Sequence, residues 1–376
     1  MAGIYLHIPF CRQACHYCNF HFSTSLNRKN DFISALLKEI AARKDYLEAE
    51  PIETVYFGGG TPSLLATEEI ATILQQLRAL YPLVSGAEVT LEANPDDITT
   101  ARLRSWRETG INRLSIGVQS FFEEDLRWMN RAHDARQALD CIGLAQEEGL
   151  DNISIDLIYG GPTLPDSHWQ QNVERAIGLG IPHLSCYALT VEPRTALDTL
   201  IRRHQVAEVS PDDQARQFLL LMDWMAAAGY EHYEISNFAQ PGHRSRHNSA
   251  YWQGKKYLGL GPSAHSYNGV SREWNVANNA QYIAAPGLVT EKEILTPDQQ
   301  VNEYIMISLR TLEGIDLQTL AHRFGPQRAA QLRQRAEKHI IGSHLRLAEE
   351  RLQLTMEGKL LADGIAADLF FDTQSK

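Results

Sequence analysis

The apolar positions in the first half of this chain follow two alternating rhythms. Short runs at Ile4 to Ile8, Thr54 to Phe57, Glu88 to Leu91, Arg113 to Val118, Asn152 to Ile158 and His183 to Leu189 read as buried strands. Between them apolar residues recur at helical spacing, as in Ile33, Leu36, Leu37 and Ile40, and again in Ile70, Ile73, Leu74 and Leu77. Further helices are expected over Thr99 to Thr109 before Gly110, Asp134 to Glu148 before Gly149, and Asp166 to Leu179 before Gly180-Ile181-Pro182. Six strand–helix units at this period predict an α/β fold with a parallel sheet. After Ala228 the rhythm changes. Tyr230 to Phe238 reads as an edge strand, and residues 240–279 are rich in Gly, Asn, His and aromatics. From Asp298 a helical module follows: one helix through Leu309, others over Asp316 to Phe324 and Gln327 to His339, a hairpin over Leu345 to Leu354, and a short last helix after Thr355. That α+β module reads as winged-helix-like. The expected division is 1–228, a connecting segment 229–297, and 298–376.

Charge narrows the partners. The net charge is −11, and residues 301–376 hold ten Lys and Arg against ten Asp and Glu. Neither the whole chain nor its winged-helix-like module carries the basic footprint expected of a nucleic-acid binder. No apolar run approaches the ~20 residues that span a bilayer. The first residues, Met-Ala-Gly-Ile-Tyr-Leu-His, show no cationic leader or apolar signal region. Five cysteines, three of them clustered, do not make a disulfide framework and suit a reducing cytoplasm.

The clustered three are Cys11, Cys15 and Cys18, at C-x3-C-x2-C spacing directly after the first strand. Soft thiolates so placed suit an iron–sulfur centre, whereas structural zinc takes four closed ligands and no fourth Cys is near. Polar residues also recur at or near the expected strand ends. Gly58-Gly59-Gly60-Thr61-Pro62 follows the second strand, Glu92 ends the third, Gln119 the fourth, and Arg131 lies just beyond. Asp156 interrupts an apolar strand, so it is paired or functional. Each alone reads equally well as a buried structural polar group, and the glycine run alone as a tight turn. Their recurrence strand after strand favours ligand binding.

With an aromatic, Tyr17, before the last Cys, this pattern resembles the radical S-adenosylmethionine (SAM) family. The resemblance implies a partial (α/β)6 TIM-like barrel over 1–228. It also implies a [4Fe-4S] cluster on Cys11, Cys15 and Cys18, whose open iron takes SAM and whose reduction cleaves SAM to a radical. It places Tyr5, Tyr17, Gly59, Gly60, Thr61, Glu92, Gln119, Arg131 and Asp156 on cluster and SAM positions, with Ala188 nearby. The segments HIPFC, YFGGGTP, LEANP, RLSIGVQSF, DLIYG and GLGPSAHS narrow it to the branch holding oxygen-independent coproporphyrinogen III oxidase and the HemW-type haem chaperones.

Within that branch the chain departs from the oxidase pattern. Phe20 stands where the oxidase has a further Cys, His265 stands where it has an aliphatic residue, and Tyr5 lies too near the start for the oxidase's N-terminal extension. His247-Asn248-Ser249-Ala250-Tyr251-Trp252 is the H-N-x-x-Y-W run of the chaperones. By that resemblance His247 is a candidate haem-iron ligand, Tyr251 and Trp252 candidate porphyrin contacts, and Arg244 and Arg246 candidate propionate partners. From the residues alone, the same segment reads as a loop capping the barrel. The expectation is a cytoplasmic haem chaperone that passes haem to an acceptor haem protein, such as a respiratory one. Nucleic acid is not expected as a partner, while a homodimer and a transient membrane-protein contact fit the resemblance. The alternative is an oxidase-like radical SAM oxidoreductase.

Overall fold

Alternation along the strands decides the architecture. The computed structural model describes residues 1–371. It contains six parallel strands in sequential order: β1 (Ala2–Ile8), β2 (Ile52–Gly59), β3 (Leu83–Ala93), β4 (Arg113–Gln119), β5 (Ile153–Tyr159) and β6 (His183–Ala188). Every second residue enters one hydrophobic core: Ile4, Leu6 and Ile8 on β1, Val55 and Phe57 on β2, and Leu114, Ile116 and Val118 on β4. Helices α1 (Lys29–Ala42), α2 (Thr67–Leu80), α3 (Thr100–Thr109), α5 (Ala135–Glu147) and α6 (Asp166–Gly178) contribute their apolar faces to that core. Gly110 closes α3 at φ 102°, a left-handed cap that glycine adopts without penalty.

The intervening residues are polar, and they meet one another on the concave side. Tyr5 stacks on Tyr56 with ring centres 6.0 Å apart. The Tyr56 hydroxyl donates to Glu92 at 2.9 Å, and Ser154 Oγ lies 2.7 Å from His183 Nδ1. Closed α/β barrels usually fill this space with branched apolar side chains. Here it is a polar lumen inside a partial barrel, the fold the resemblance implies. Within the barrel, three helices lie outside the periodicity reading: α4 (Glu123–Trp128), α7 (Ala196–Arg202) and α8 (Pro211–Ala227).

The segment after the barrel builds on both of its edges. Tyr230 to Phe238 gives a hairpin rather than one strand: β7 (Glu231–Glu234) and β8 (Asn237–Ala239), with β8 antiparallel to β6. Helix α9 (Arg246–Trp252) follows. At the opposite edge β9 (Tyr257–Leu260) runs parallel to β1, then β10 (His265–Tyr267), β11 (Ser271–Asn275) and β12 (Val289–Ile294) continue antiparallel, with α10 (Asn279–Ala284) between the last two. Glu39 of α1 locks this edge to the barrel. Its fully buried carboxyl accepts from Gly261 N at 2.8 Å, Asn275 Nδ2 at 2.6 Å and Tyr282 Oη at 2.6 Å.

The C-terminal module comprises α11 (Pro297–Leu309), β13 (Ile315–Asp316), α12 (Leu317–Phe324), α13 (Pro326–Ile341), the hairpin β14 (Leu345–Ala348) and β15 (Arg351–Leu354), then α14 (Met356–Lys359) and α15 (Ala362–Leu369). It has its own core around Val301, Ile305, Leu320 and Leu352. Backbone bonds Leu312 N to Tyr233 O (2.9 Å) and Ile235 N to Arg310 O (3.1 Å) tie it to the β7–β8 hairpin. Among the described residues, no helix is long and apolar enough to cross a membrane.

Removing the Glu39 carboxyl strands three buried donors. Glu39→Ala should therefore lower unfolding stability by about 3 kcal/mol, read as a drop in the denaturant midpoint. A shift below about 0.5 kcal/mol, the range of ordinary surface changes, would contradict the lock.

Candidate functional site

The cysteine loop leaves β1 at Pro9 and is held by residues far along the chain. His16 N donates to Met129 O (3.1 Å), His16 Nδ1 meets Trp128 O (2.8 Å), and Asn130 Nδ2 donates to Ala14 O (2.7 Å). From the other side Cys11 N donates to Ser23 O, and Arg12 pairs with the buried Asp97 at 2.6 Å. Tyr17 packs with Met129, Ile158, Leu189 and Leu197, so the aromatic before the last Cys anchors the loop. The result presents Cys11, Cys15 and Cys18 half-buried beside the C-terminal ends of the strands, where α/β sites form. Among the described residues, no three His, Cys, Asp or Glu side chains converge on a single ion. Cluster thiolates bind separate irons, so a cubane does not need them to converge on one ion.

Gly58 to Thr61 fits against that loop closely. Gly60 N donates to Ile8 O at 2.8 Å and Thr61 N to Phe10 O at 2.6 Å. A Cβ on Gly60 would stand 2.6 Å from Phe10 O, so only glycine fits there. Gly59 N donates to Glu92 Oε2 at 3.1 Å. The amides of Gly59, Gly60 and Thr61 are thus engaged, and the polar atoms left to this turn are acceptors, which suit an ammonium group.

Arg131 joins the two halves. It donates to Cys15 Sγ (3.3 Å), Asn94 Oδ1 (2.8 Å) and Gly117 O (2.8 Å). Gln119 ends β4 with φ 67°, a left-handed conformation that costs a non-glycine residue energy and often marks a functional site. Asp156 accompanies Glu92 in the lumen below. Burial, then the neighbouring Asp156, pushes the Glu92 carboxyl up to about 7, and burial pushes Asp156 up to about 6. Several buried polar atoms here have no partner among the described residues: Asp156 Oδ1, Thr90 Oγ1, Arg131 Nε, and Arg113 Nε and Nη2. Such orphans cost energy unless a ligand or water satisfies them. Half-buried thiols, an acceptor-rich turn, a guanidinium and unfilled lumen groups therefore fit an iron–sulfur cluster with a zwitterionic nucleoside ligand.

Sequence reasoning missed His7 and Asn94, which belong to this site. Both sit two positions beyond a recognised residue, Tyr5 and Glu92, and so share its face of the strand. His7 Nε2 meets His21 O at 2.8 Å, and a Cβ on Gly59 would touch the His7 ring at 2.7 Å.

The structure does not bring His247 to this mouth. Helix α9 closes the opposite, N-terminal end of the lumen. Glu88 there accepts from the amides of Arg246 and His247, while the buried His247 ring stacks on Tyr56 at 5.0 Å. Both ring nitrogens are engaged, Nδ1 with Thr54 Oγ1 (2.7 Å) and Nε2 with Tyr251 Oη (2.9 Å). Burial, then the Arg113 charge, holds the imidazole neutral by lowering its pKa to about 3. Trp252 carries the Arg310 guanidinium over its ring at 5.6 Å. Arg244 pairs with Glu231 and Glu313, and Arg246 donates to Gly86 O. His265 is exposed, edge-on to Trp274. Phe20 is exposed too.

A carboxyl raised on folding stabilises the fold while protonated and loses that contribution as pH rises from the unfolded value towards the folded one. The contribution of Glu92 to the stability of the ligand-free protein should therefore fall between about pH 4.3 and about pH 7, opposed below about pH 6.5 by the buried neutral histidines such as His247, whose contribution rises with pH. Glu92→Gln should flatten the decline above pH 6, measured by urea midpoints across pH. An unchanged slope would refute the assignment.

Comparison with known proteins agrees with this geometry. Residues 5–176 match the radical SAM superfamily, and residues 295–361 match the HemN C-terminal domain. The chain is 36% identical to the heme chaperone HemW of Mycobacterium tuberculosis, over 98% of this chain and 94% of that one. It is 32% identical to heme chaperone HemW of Bacillus subtilis, over 97% and 98%. Coproporphyrinogen III oxidase (HemN) of Escherichia coli, a radical SAM enzyme, shares the fold at a TM-score of 0.84 with 23% identity, covering 98% of this chain and 90% of that one. With a polar-lumen barrel, a three-cysteine loop and near-full-length identity to these relatives, the chain belongs to the HemW family of radical SAM proteins.

Proposed function

We propose that this protein is a haem chaperone: it binds haem, a [4Fe-4S] cluster and SAM, and hands haem to an acceptor haem protein. The observation that carries the haem part is near-full-length identity to relatives named as heme chaperones. For the cluster and SAM, support comes from the residues around the barrel mouth.

In this reading Cys11, Cys15 and Cys18 hold the cluster. Burial pushes the Cys11 thiol up to about 11 and raises Cys18, so cluster binding would be coupled to release of their protons. Arg131, bonded to Cys15 Sγ, stabilises thiolate charge and presents a cation to a carboxylate. The acceptors of the Gly59–Thr61 turn orient an amino group, and Glu92 and Gln119 line the space between. A bound cluster supplies one-electron chemistry to SAM. The chain's own contribution is to orient, to shield from water and to set charge.

The haem contacts expected at His247, Tyr251 and Trp252 meet a physical obstacle in this fold. Iron ligation by His247 requires α9 to leave the lumen and give up the bonds from Thr54 and Tyr251. While α9 is seated, the H-N-x-x-Y-W segment serves as the floor of the barrel.

Anaerobic titration of cluster-reconstituted protein with haem, followed by absorbance, tests the proposal. Saturable one-to-one binding, and loss of haem to an added apo-haem protein, are the expected results. Weak, unsaturable binding would remove the chaperone reading. His247→Ala run alongside should leave the Soret band unaltered if α9 stays seated, and an altered band would show that it unlatches.

A further inference from the structure

A cavity of about 380 Å³ lies outside the barrel, between α8 and the β7–β8 hairpin on one side and β14, β15 and α14 of the C-terminal module on the other. Its size falls within the range of small-molecule sites. The walls are largely apolar, with Met222 and Leu354 buried and Leu312 and Met356 partly exposed. Lys359 and Arg346 join His232, Thr311, Gln353 and Thr355 as its polar residues, and no lining residue is acidic although the chain carries a net charge of −11.

Those cations have no ionic partner among the described residues. The half-buried Lys359 Nζ contacts His232 Nδ1 at 2.8 Å, and Arg346 Nε donates to Gln353 Oε1 at 3.0 Å. His232 Nε2 faces the Ile235 carbonyl at 3.0 Å and so carries the ring proton, leaving Nδ1 to accept from the lysine. The ammonium group therefore retains two hydrogens for another acceptor. Burial, then the Arg346 charge, lowers Lys359 to about 8, the behaviour of a cation without a carboxylate to balance it.

We propose that this inter-domain cavity binds the carboxylate edge of an apolar ligand, the propionates of the tetrapyrrole meeting Lys359 and Arg346 while its rings lie on the Met222, Leu312 and Met356 surface. The proposal rests on the haem reading above and adds to it a place and a charge pattern. It also accounts for the C-terminal module, whose α14 and β14–β15 hairpin supply both cations and half of the wall. Because the site spans both domains, its ligand would bridge them.

The test uses full-length protein titrated separately with haem, metal-free protoporphyrin IX and protoporphyrin dimethyl ester. Free-acid porphyrins should bind, and the ester, lacking carboxylates, should bind at least about tenfold more weakly, as expected when a charge-assisted contact is lost. Lys359→Met and Arg346→Gln should each weaken haem binding by a similar factor, with the thermal midpoint monitored to exclude unfolding. The wild-type comparison of acid and ester needs no variant, so a poorly folding mutant does not rescue the idea. Tight haem binding by wild type that is indifferent to esterification and to both substitutions would overturn the cavity assignment and leave the chaperone reading standing. Failure of wild type to bind either haem or protoporphyrin would overturn both.

Discussion

Everything in this molecule depends on keeping polar side chains inside a barrel whose outer face is apolar. Each inner strand turns one set of residues to the helices and the other to the lumen. Tyr5, Tyr56, Glu92, Arg113, Asp156 and His183 thus share one enclosure, Arg113 and Asp156 with polar atoms unsatisfied among the described residues. Burial without full pairing is costly, and the cost is offset by the large hydrophobic contacts on the opposite face of the same strands. The enclosure is closed at one end by α9 and opens at the other beside the cysteine loop.

The two ends differ in chemistry. At the open mouth, polar groups are engaged loosely and from several elements: Arg131 alone reaches a thiol, an asparagine and a backbone carbonyl. At the closed end Thr54, His247 and Tyr251 form one continuous hydrogen-bonded row under the Glu88 carboxylate. The mouth leaves Arg131 Nε without a partner, whereas both ring nitrogens of His247 are engaged in the row.

The strand and helix rhythm was readable from sequence because burial on both faces makes parallel strands stand out and helices keep their own period. Cys11, Cys15 and Cys18 were readable because their spacing is local. His7 and Asn94 were passed over because one sits within an apolar run and the other looks like turn chemistry before Pro95. Only the folded structure brings them together beside the cysteine loop, His7 against Gly59 and Asn94 against Arg131. The segment at His247 was legible in part: the residues alone read as a cap on the barrel, while only the packing shows a helix whose buried imidazole has both nitrogens engaged. Likewise the hairpin over 231–239, which joins barrel to module, reads as one strand until the antiparallel pairing of β8 with β6 is seen.

The cysteine loop sits near the start of the chain, yet its staples come from Trp128, Met129 and Asn130, more than a hundred positions later. Closing so long a loop costs chain entropy that the packing of the intervening strands and helices offsets. The nascent chain therefore exposes Cys11, Cys15 and Cys18 long before their mutual positions are set. The fold itself thus acts as the checkpoint on when the three thiols take their places beside the strand ends.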